Sequence, residues 1–272
     1  LVVPTQGNAG DSLAYYADQT GIGAAIIMPD DTPMPIQGNV AALSFHNPKI
    51  KLDMVKGTIK EAGLKMKQDY IPKGYFNVAT FQEPGWRIEG KKTMGLELAE
   101  PNAMSDKWQL PDVILYPTGG GTGILGMAKA FDELQQLGMI SAKRPKIIAV
   151  QADATHPITT AFNNNDFEPG TTEAGQTLAV GINVATGVGH FKVLDIIRKS
   201  GGQSIAVSED DIAKNLTHVW QHKHWWLGPE TAACLAALKP LAQEGVIKAN
   251  DQVVVFNTGS FEKYLPEVRH LL

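Results

Sequence analysis

Short, uninterrupted apolar runs recur along the chain, each followed by a polar turn and then by positions of helical spacing. Leu1-Val2-Val3, Ala24 to Pro29 and Ile50 to Val55 predict strands in the N-terminal part, with Tyr75 to Phe81 as a further candidate. Val113 to Leu115, Lys146 to Gln151, Gln203 to Val207 and the buried-type run Val253 to Phe256 predict strands in the remainder. Between them, helical spacing starts at Ser12 and stops at Gly21, and a second helix, capped by Asp30-Asp31-Thr32, starts no earlier than about Ile36 because of Pro33 and Pro35. Gly57 to Gly63 reads as turn and helix. Further helices are predicted over Met94 to Ala99, Met127 to Leu137 and Val193 to Lys199, after Ser208-Glu209-Asp210-Asp211, and over Thr231 to Leu241 with Pro229 suited to a first helical position. Strand and helix in alternation predict an α/β fold of mostly parallel sheets flanked by helices.

Composition narrows the class. A chain of 272 residues can bury a full core as one large domain or two smaller ones. Charged residues make up 19% and the net charge is -4, so no basic face is expected and nucleic acid is excluded as a partner. Apolar runs stop short of the ~18 residues a membrane span needs, and Leu1-Val2-Val3-Pro4 has no signal-peptide character, which predicts a cytoplasmic protein with no membrane partner. The single cysteine, Cys234, excludes an internal disulfide and sits in an alanine-rich helix pattern as a small buried residue. The chain starts without Met, in what reads as the end of a strand already in progress, so an N-terminal portion is expected to be missing.

Polar turns follow strand ends at residues 5 to 10, 118 to 123 and 257 to 260. In open α/β sheets such turns gather ligands. Tyr116-Pro117-Thr118-Gly119-Gly120-Gly121-Thr122 joins a strand to a helix, and glycines there let successive N–H groups turn toward one oxyanion at a helix N-terminus. The implied ligand is a phosphate. Gly121-Thr-Gly123-Ile-Leu-Gly126 also spells the G-x-G-x-x-G dinucleotide fingerprint, with Asp153 downstream, so a nicotinamide-dependent dehydrogenase is a rival. Arg87, Lys91 and Lys92 crowd the approach to the Met94 helix, where cations are electrostatically misplaced and an anion would compensate. His218 and His222 share a helix face near His224, but no glutamate stands between them and Trp220, Trp225 and Trp226 surround them, so packing is expected and no metal.

The turns resemble those of fold-type II pyridoxal-phosphate enzymes. Gly7-Asn8-Ala9-Gly10 is similar to their asparagine loop, Thr118 to Thr122 to their phosphate loop, and Asn257-Thr258-Gly259-Ser260 to the turn facing the pyridine nitrogen. Within that fold the chain looks most like threonine synthase and its close relatives, through Trp86 to Thr93, Pro111 to Gly126, Val150-Gln151-Ala152 and Gly228 to Ala233. The resemblance implies pyridoxal 5'-phosphate as cofactor, with Asn8 on its phenolic oxygen, Thr118, Gly119, Gly120, Gly121 and Thr122 around its phosphate and Thr258 at its ring nitrogen. It implies a small-molecule amino-acid substrate whose carboxylate meets Thr5, Gln6, Gly7 and Ala9, with Arg87 and Lys92 on a leaving phosphate.

The reaction implied is conversion of O-phosphohomoserine and water to threonine and phosphate. The alternatives are another fold-type II lyase, of serine/threonine dehydratase or diaminopropionate ammonia-lyase type, and a non-catalytic anion-binding fragment. The family's Schiff-base lysine lies upstream of the asparagine loop, and no lysine here, including Lys91, Lys92 and Lys129, matches its motif, so no catalytic residue is expected within this chain and the chain itself is expected to be inactive. Gln82-Glu83-Pro84 departs from the asparagine that many threonine synthases carry, and a glutamate there would repel a phosphate. Residues 1–95 would form the smaller, mobile domain and 96–272 the larger, both incomplete, with the cofactor between them. A homodimer is one assembly open to such a chain.

Overall fold

The computed structural model describes every residue except 80–84, 103, 104, 171, 188 and 272. By contact the chain divides into two units, Leu1–Thr80 with Gly259–His270, and Phe81–Thr258 with Leu271–Leu272. Both are α/β with parallel strands flanked by helices.

In the first unit β1 (Val2–Pro4), β2 (Ala24–Pro29) and β3 (Ile50–Val55) pair in that order, all parallel. Because side chains alternate across a strand, Val3 and Ile26 join Ala14 of α1 (Asn8–Thr20) and Ile36 of α2 (Met34–His46) on one face, while Val2 and Ile27 meet Ala62, Met66 and Tyr70 on the other. Such double coverage explains why β2 is buried along its whole length. Gly21, at φ 69°, ends α1 where the sequence places the stop. α2 starts ahead of Ile36: prolines need no N–H donor in a first turn, so the helix opens directly after Pro33 with Pro35 inside its first turn. Asp30 to Thr32 do not cap it, and Thr32 Oγ1 instead donates to the Pro29 carbonyl at 2.8 Å. α3 (Ile59–Lys65) carries a capping box between Thr58 and Glu61. The strand expected over Tyr75 to Phe81 reduces, among the described residues, to a bridge between Asn77 and Val2. Asn77 Oδ1 accepts the Ala79 N–H at 2.8 Å, a local bond that competes with a ladder. The returning segment, helical from Phe261, completes this unit through buried Phe261 and Tyr264.

The second unit opens with α4 (Trp86–Ala99), which starts well ahead of the expected Met94. It packs against α5 (Thr122–Gln136) with glycine on both sides of the contact: a Cβ on Gly95 would stand 2.7 Å from Ala130 Cβ, and one on Gly126 would stand 2.5 Å from Lys91 Cβ. This close approach stabilises residues whose own propensities read as a charged loop. β4 (Val113–Pro117) precedes α5, and β5 (Lys146–Ala152), α6 (Pro157–Asn163), α7 (His190–Lys199), β6 (Gln203–Val207), α8 (Glu209–Lys223), α9 (Pro229–Gln243) and β7 (Val253–Val255) follow. The parallel sheet runs β6-β5-β4-β7. β7 lies at its edge, so it is half-buried rather than buried as its composition suggests. Ile114, Phe131, Ile147, Val193 and Ile197 belong to the core between sheet and helices. At roughly 1.5–3 kcal/mol for each large apolar side chain removed from water, this cluster is what fixes the ends of β4 and β5. Cys234 is fully buried in α9, as its surroundings predict.

Candidate cofactor and substrate site

In the second unit, the loop from Thr118 to Gly121 leaves the carboxyl end of central strand β4 and runs into the N-terminus of α5. Its glycines are fixed by crowding. A Cβ on Gly119 would come 2.9 Å from Val184 Cγ2, one on Gly121 would collide with Val193 Cγ2, and Gly121 sits at φ 78°, open to glycine. The fully buried Thr118 turns its hydroxyl back to the Tyr116 carbonyl at 2.7 Å and donates its N–H to the Val150 carbonyl at 2.8 Å. Among the described residues, the N–H groups of Gly119, Gly120 and Gly121 meet no acceptor. Thr122 is the first residue of α5, where the helix dipole adds positive potential. Donors without acceptors at a helix head fit a phosphate monoester. Thr258 is exposed three residues beyond the neighbouring β7 and faces the same end of the sheet, while the adjacent Asn257 accepts from Thr231 Oγ1 at 2.6 Å.

The cations of α4 split into two sets. Lys92 Nζ lies 2.7 Å from Glu133 Oε2 and 2.8 Å from Glu89 Oε2, and Lys129 bonds the same two glutamates. These acids supply the compensating negative charge, and they hold both lysines above and both glutamates below their ordinary pKa values, mainly through the hydrogen bonds themselves. Arg87 and Lys91, one turn apart, are half-buried, and Lys91 pairs with no acid among the described residues: burial first, and for Lys91 also the Arg87 charge, lowers both below their ordinary values. Arg87 interacts with Tyr116, whose phenol burial pushes up to about 12.

In the first unit, β1 leads into the turn Thr5 to Gly7 and then α1. Buried Thr5 organises it: its Oγ1 accepts the Gly7 N–H at 3.2 Å, and its methyl fills the space that Gly10 leaves open. Gln6 is tied to Asp31 Oδ1 at 2.8 Å, and Ala9 is exposed. Asn8, first residue of α1, donates from Nδ2 to the Tyr264 hydroxyl at 3.3 Å, while its Oδ1 is buried without a partner among the described residues. Turning the carboxamide over would let Tyr264 donate to Oδ1 and leave the NH2 edge for a ligand oxygen.

The dinucleotide spelling has a different cause. Gly123 lies inside α5 against the Tyr116 hydroxyl and Gly126 against Lys91, so both serve packing and neither leaves room for a pyrophosphate.

Residues 1–259 match the family of pyridoxal-phosphate dependent enzymes. The chain belongs to that family. Pyridoxal phosphate is accordingly its cofactor, a group that the unaccepted N–H donors of the glycine loop fit. Curated relatives include threonine synthases of Methanocaldococcus jannaschii, 28% identical over 93% of this chain and 60% of its own length, and of Methanosarcina acetivorans, 28% identical over 94% and 61%. The chain thus spans about 60% of the length of these relatives. Among solved structures, Escherichia coli diaminopropionate ammonia lyase aligns with a TM-score of 0.78 at 18% identity, covering 99% of this chain and 70% of that one. Tomato (Solanum lycopersicum) threonine deaminase isoform 2 gives 0.75 at 24%, covering 100% and 69%. This member of the family carries polar groups that its strand and turn pattern does not announce. His190, buried at the start of α7, bonds the Gly119 carbonyl, Gln151 bonds the Thr118 carbonyl, and Tyr264 bonds Asn8. No helix among the described residues is long and apolar enough to cross a membrane.

Proposed function

We propose that the protein is threonine synthase-like, acting on O-phosphohomoserine and water to give threonine and phosphate. The observation that carries the reading is the pairing of a glycine anion cradle with Lys91, a half-buried cation on the helix packed against α5 that has no acidic partner among the described residues, and with Arg87 one turn before it. One anion seat suits the cofactor phosphate, and the cations suit the phosphate of the substrate. Bound pyridoxal phosphate supplies an electron sink that acidifies the protons next to the substrate's amino group. The N–H groups of Gly119, Gly120 and Gly121, with Thr118 and Thr122, would hold its phosphate. Thr258 would accept from or donate to the ring nitrogen as a neutral hydroxyl, and Asn8 would donate to the phenolic oxygen. Thr5, Gln6, Gly7 and Ala9 would bind the substrate carboxylate through backbone donors. Arg87 would neutralise the departing phosphate, with Lys92 available only if phosphate displaces Glu89 or Glu133.

Relatives named threonine synthase across nearly the whole chain support this reading. A second reading, a lyase of serine/threonine dehydratase or diaminopropionate ammonia-lyase type, is favoured by Glu83, an acid in the segment before Arg87; Gln82-Glu83-Pro84 lies outside the described residues. The full gene product decides between them. Phosphate release from O-phosphohomoserine, lost on Arg87→Met, is the expected result, whereas ammonia release from serine, threonine or diaminopropionate without phosphate release would replace it with the second reading.

A further inference from the structure

We propose that His190 and Gln151 are positioning residues that aim the Gly119 and Gly120 N–H groups by holding the carbonyls on the other side of the same peptides. A trans peptide is planar, and its C=O and N–H point in opposite directions, so fixing one fixes the other. Gln151 Nε2 donates to the Thr118 carbonyl at 3.2 Å, and His190 Nε2 lies 3.0 Å from the Gly119 carbonyl. The peptides joining Thr118 to Gly119 and Gly119 to Gly120 are therefore each gripped at the oxygen, and the N–H groups of Gly119 and Gly120 face away from those grips with no acceptor among the described residues.

Glycine makes such a grip necessary. Without Cβ atoms, the peptide between Gly119 and Gly120 can rotate between orientations at little steric cost, so nothing within the loop determines which way its N–H points. Both clamps are themselves anchored. Gln151 is fully buried, and its Oε1 accepts the Thr159 N–H at 3.0 Å, which fixes the amide with its NH2 edge toward Thr118. His190 is 2% exposed, and Gly187 lies so close to its ring that a Cβ there would collide with the imidazole. Burial lowers the imidazole below its ordinary value, so the ring is neutral and its Nε2–H tautomer is the donor. A neutral ring also avoids a cation at the start of α7.

This inference rests on the reading of the glycine loop as a phosphate seat, and the experiment separates the two. His190→Leu removes the donor, His190→Asn keeps an amide that falls short of the Gly119 carbonyl, and His190→Gln places an amide NH2 near the Nε2 position. In the ligand-free chain, the order parameter of the Gly120 amide should fall from about 0.85 to below about 0.6 in the Leu and Asn variants and recover in the Gln variant. Non-covalent binding of pyridoxal phosphate should weaken about tenfold in the first two, with its 31P resonance moving toward that of the free ester, and recover in the third. The Asn and Gln variants, both polar and of similar size, keep the comparison valid if the Leu variant folds poorly. An order parameter unchanged in both the Leu and Asn variants overturns the role of His190. If the unmodified chain binds no pyridoxal phosphate, the phosphate reading fails, while the order parameters still decide whether His190 orients the loop.

Discussion

The glycine loop of the second unit and the asparagine loop of the first have the same plan, a buried parallel strand, a polar turn and a helix head, yet they present polarity by opposite means. In the glycine loop the working groups are backbone N–H donors, and side chains from other elements hold the carbonyls behind them. In the asparagine loop the working group is the Asn8 side chain, and the turn beneath it is organised locally by Thr5. Tolerance to substitution should therefore differ in kind. One loop rejects almost any added atom, and the other is sensitive to the chemistry of one amide.

The largest effect should come from giving Gly121 a side chain. A left-handed conformation costs an ordinary residue about 1–2 kcal/mol and overpacking typically about 1–3 kcal/mol, so Gly121→Ala should lose roughly 2–5 kcal/mol in urea denaturation and pyridoxal-phosphate binding with it. Asn8→Ala should weaken that binding about tenfold, or about 1.4 kcal/mol, yet leave stability unchanged or raised, because it removes a buried carbonyl oxygen that lacks a partner. A parallel loss of stability would show that Asn8 is structural and erase the contrast.

Acid sharpens the same contrast, since the titrating clamp belongs to the glycine loop alone. The folded His190 imidazole lies below the ordinary value of about 6.5, so between the two values the unfolded chain binds more protons. Stability should fall as pH drops through about 6.5 and level off once the folded imidazole takes its proton. His190→Gln should flatten this part of a pH-stability curve. The smallest effects concern neighbouring lysines of α4. Lys92→Met breaks half-exposed ion pairs and should cost no more than about 1 kcal/mol. Lys91→Met removes a half-buried charge that has no acidic partner among the described residues, and should raise the melting temperature slightly while weakening binding of inorganic phosphate. Equal destabilisation by the two would contradict the division of the α4 cations.

What was legible in the sequence is what adjacent residues decide. Apolar runs such as Ala24 to Pro29 and Val113 to Leu115, and the glycines that follow Thr118, announce strands and an anion turn from local pattern alone. The clamps were not legible because nothing near them in the chain explains them. His190 is 71 residues from Gly119, and Tyr264 is 256 residues from Asn8. The start of α4 was hidden for a related reason: Trp86 to Thr93 is rich in charge and glycine, and only the close approach of α5 makes a helix of it. The dinucleotide spelling misled in the reverse direction, since Gly123 and Gly126 satisfy the demands of Tyr116 and Lys91 and no ligand.

The return of Gly259–His270 to the first unit bears on how the protein is made. Lys263 pairs with Asp11 at 2.5 Å across 252 residues of chain, so a ribosome emits the first sheet long before the segment that closes it. Contacts of such separation carry a large loop-closure cost and form late. The first sheet is thus made well before the segment that completes its unit, and until then the seats of Phe261 and Tyr264 stand open to solvent and to chaperones.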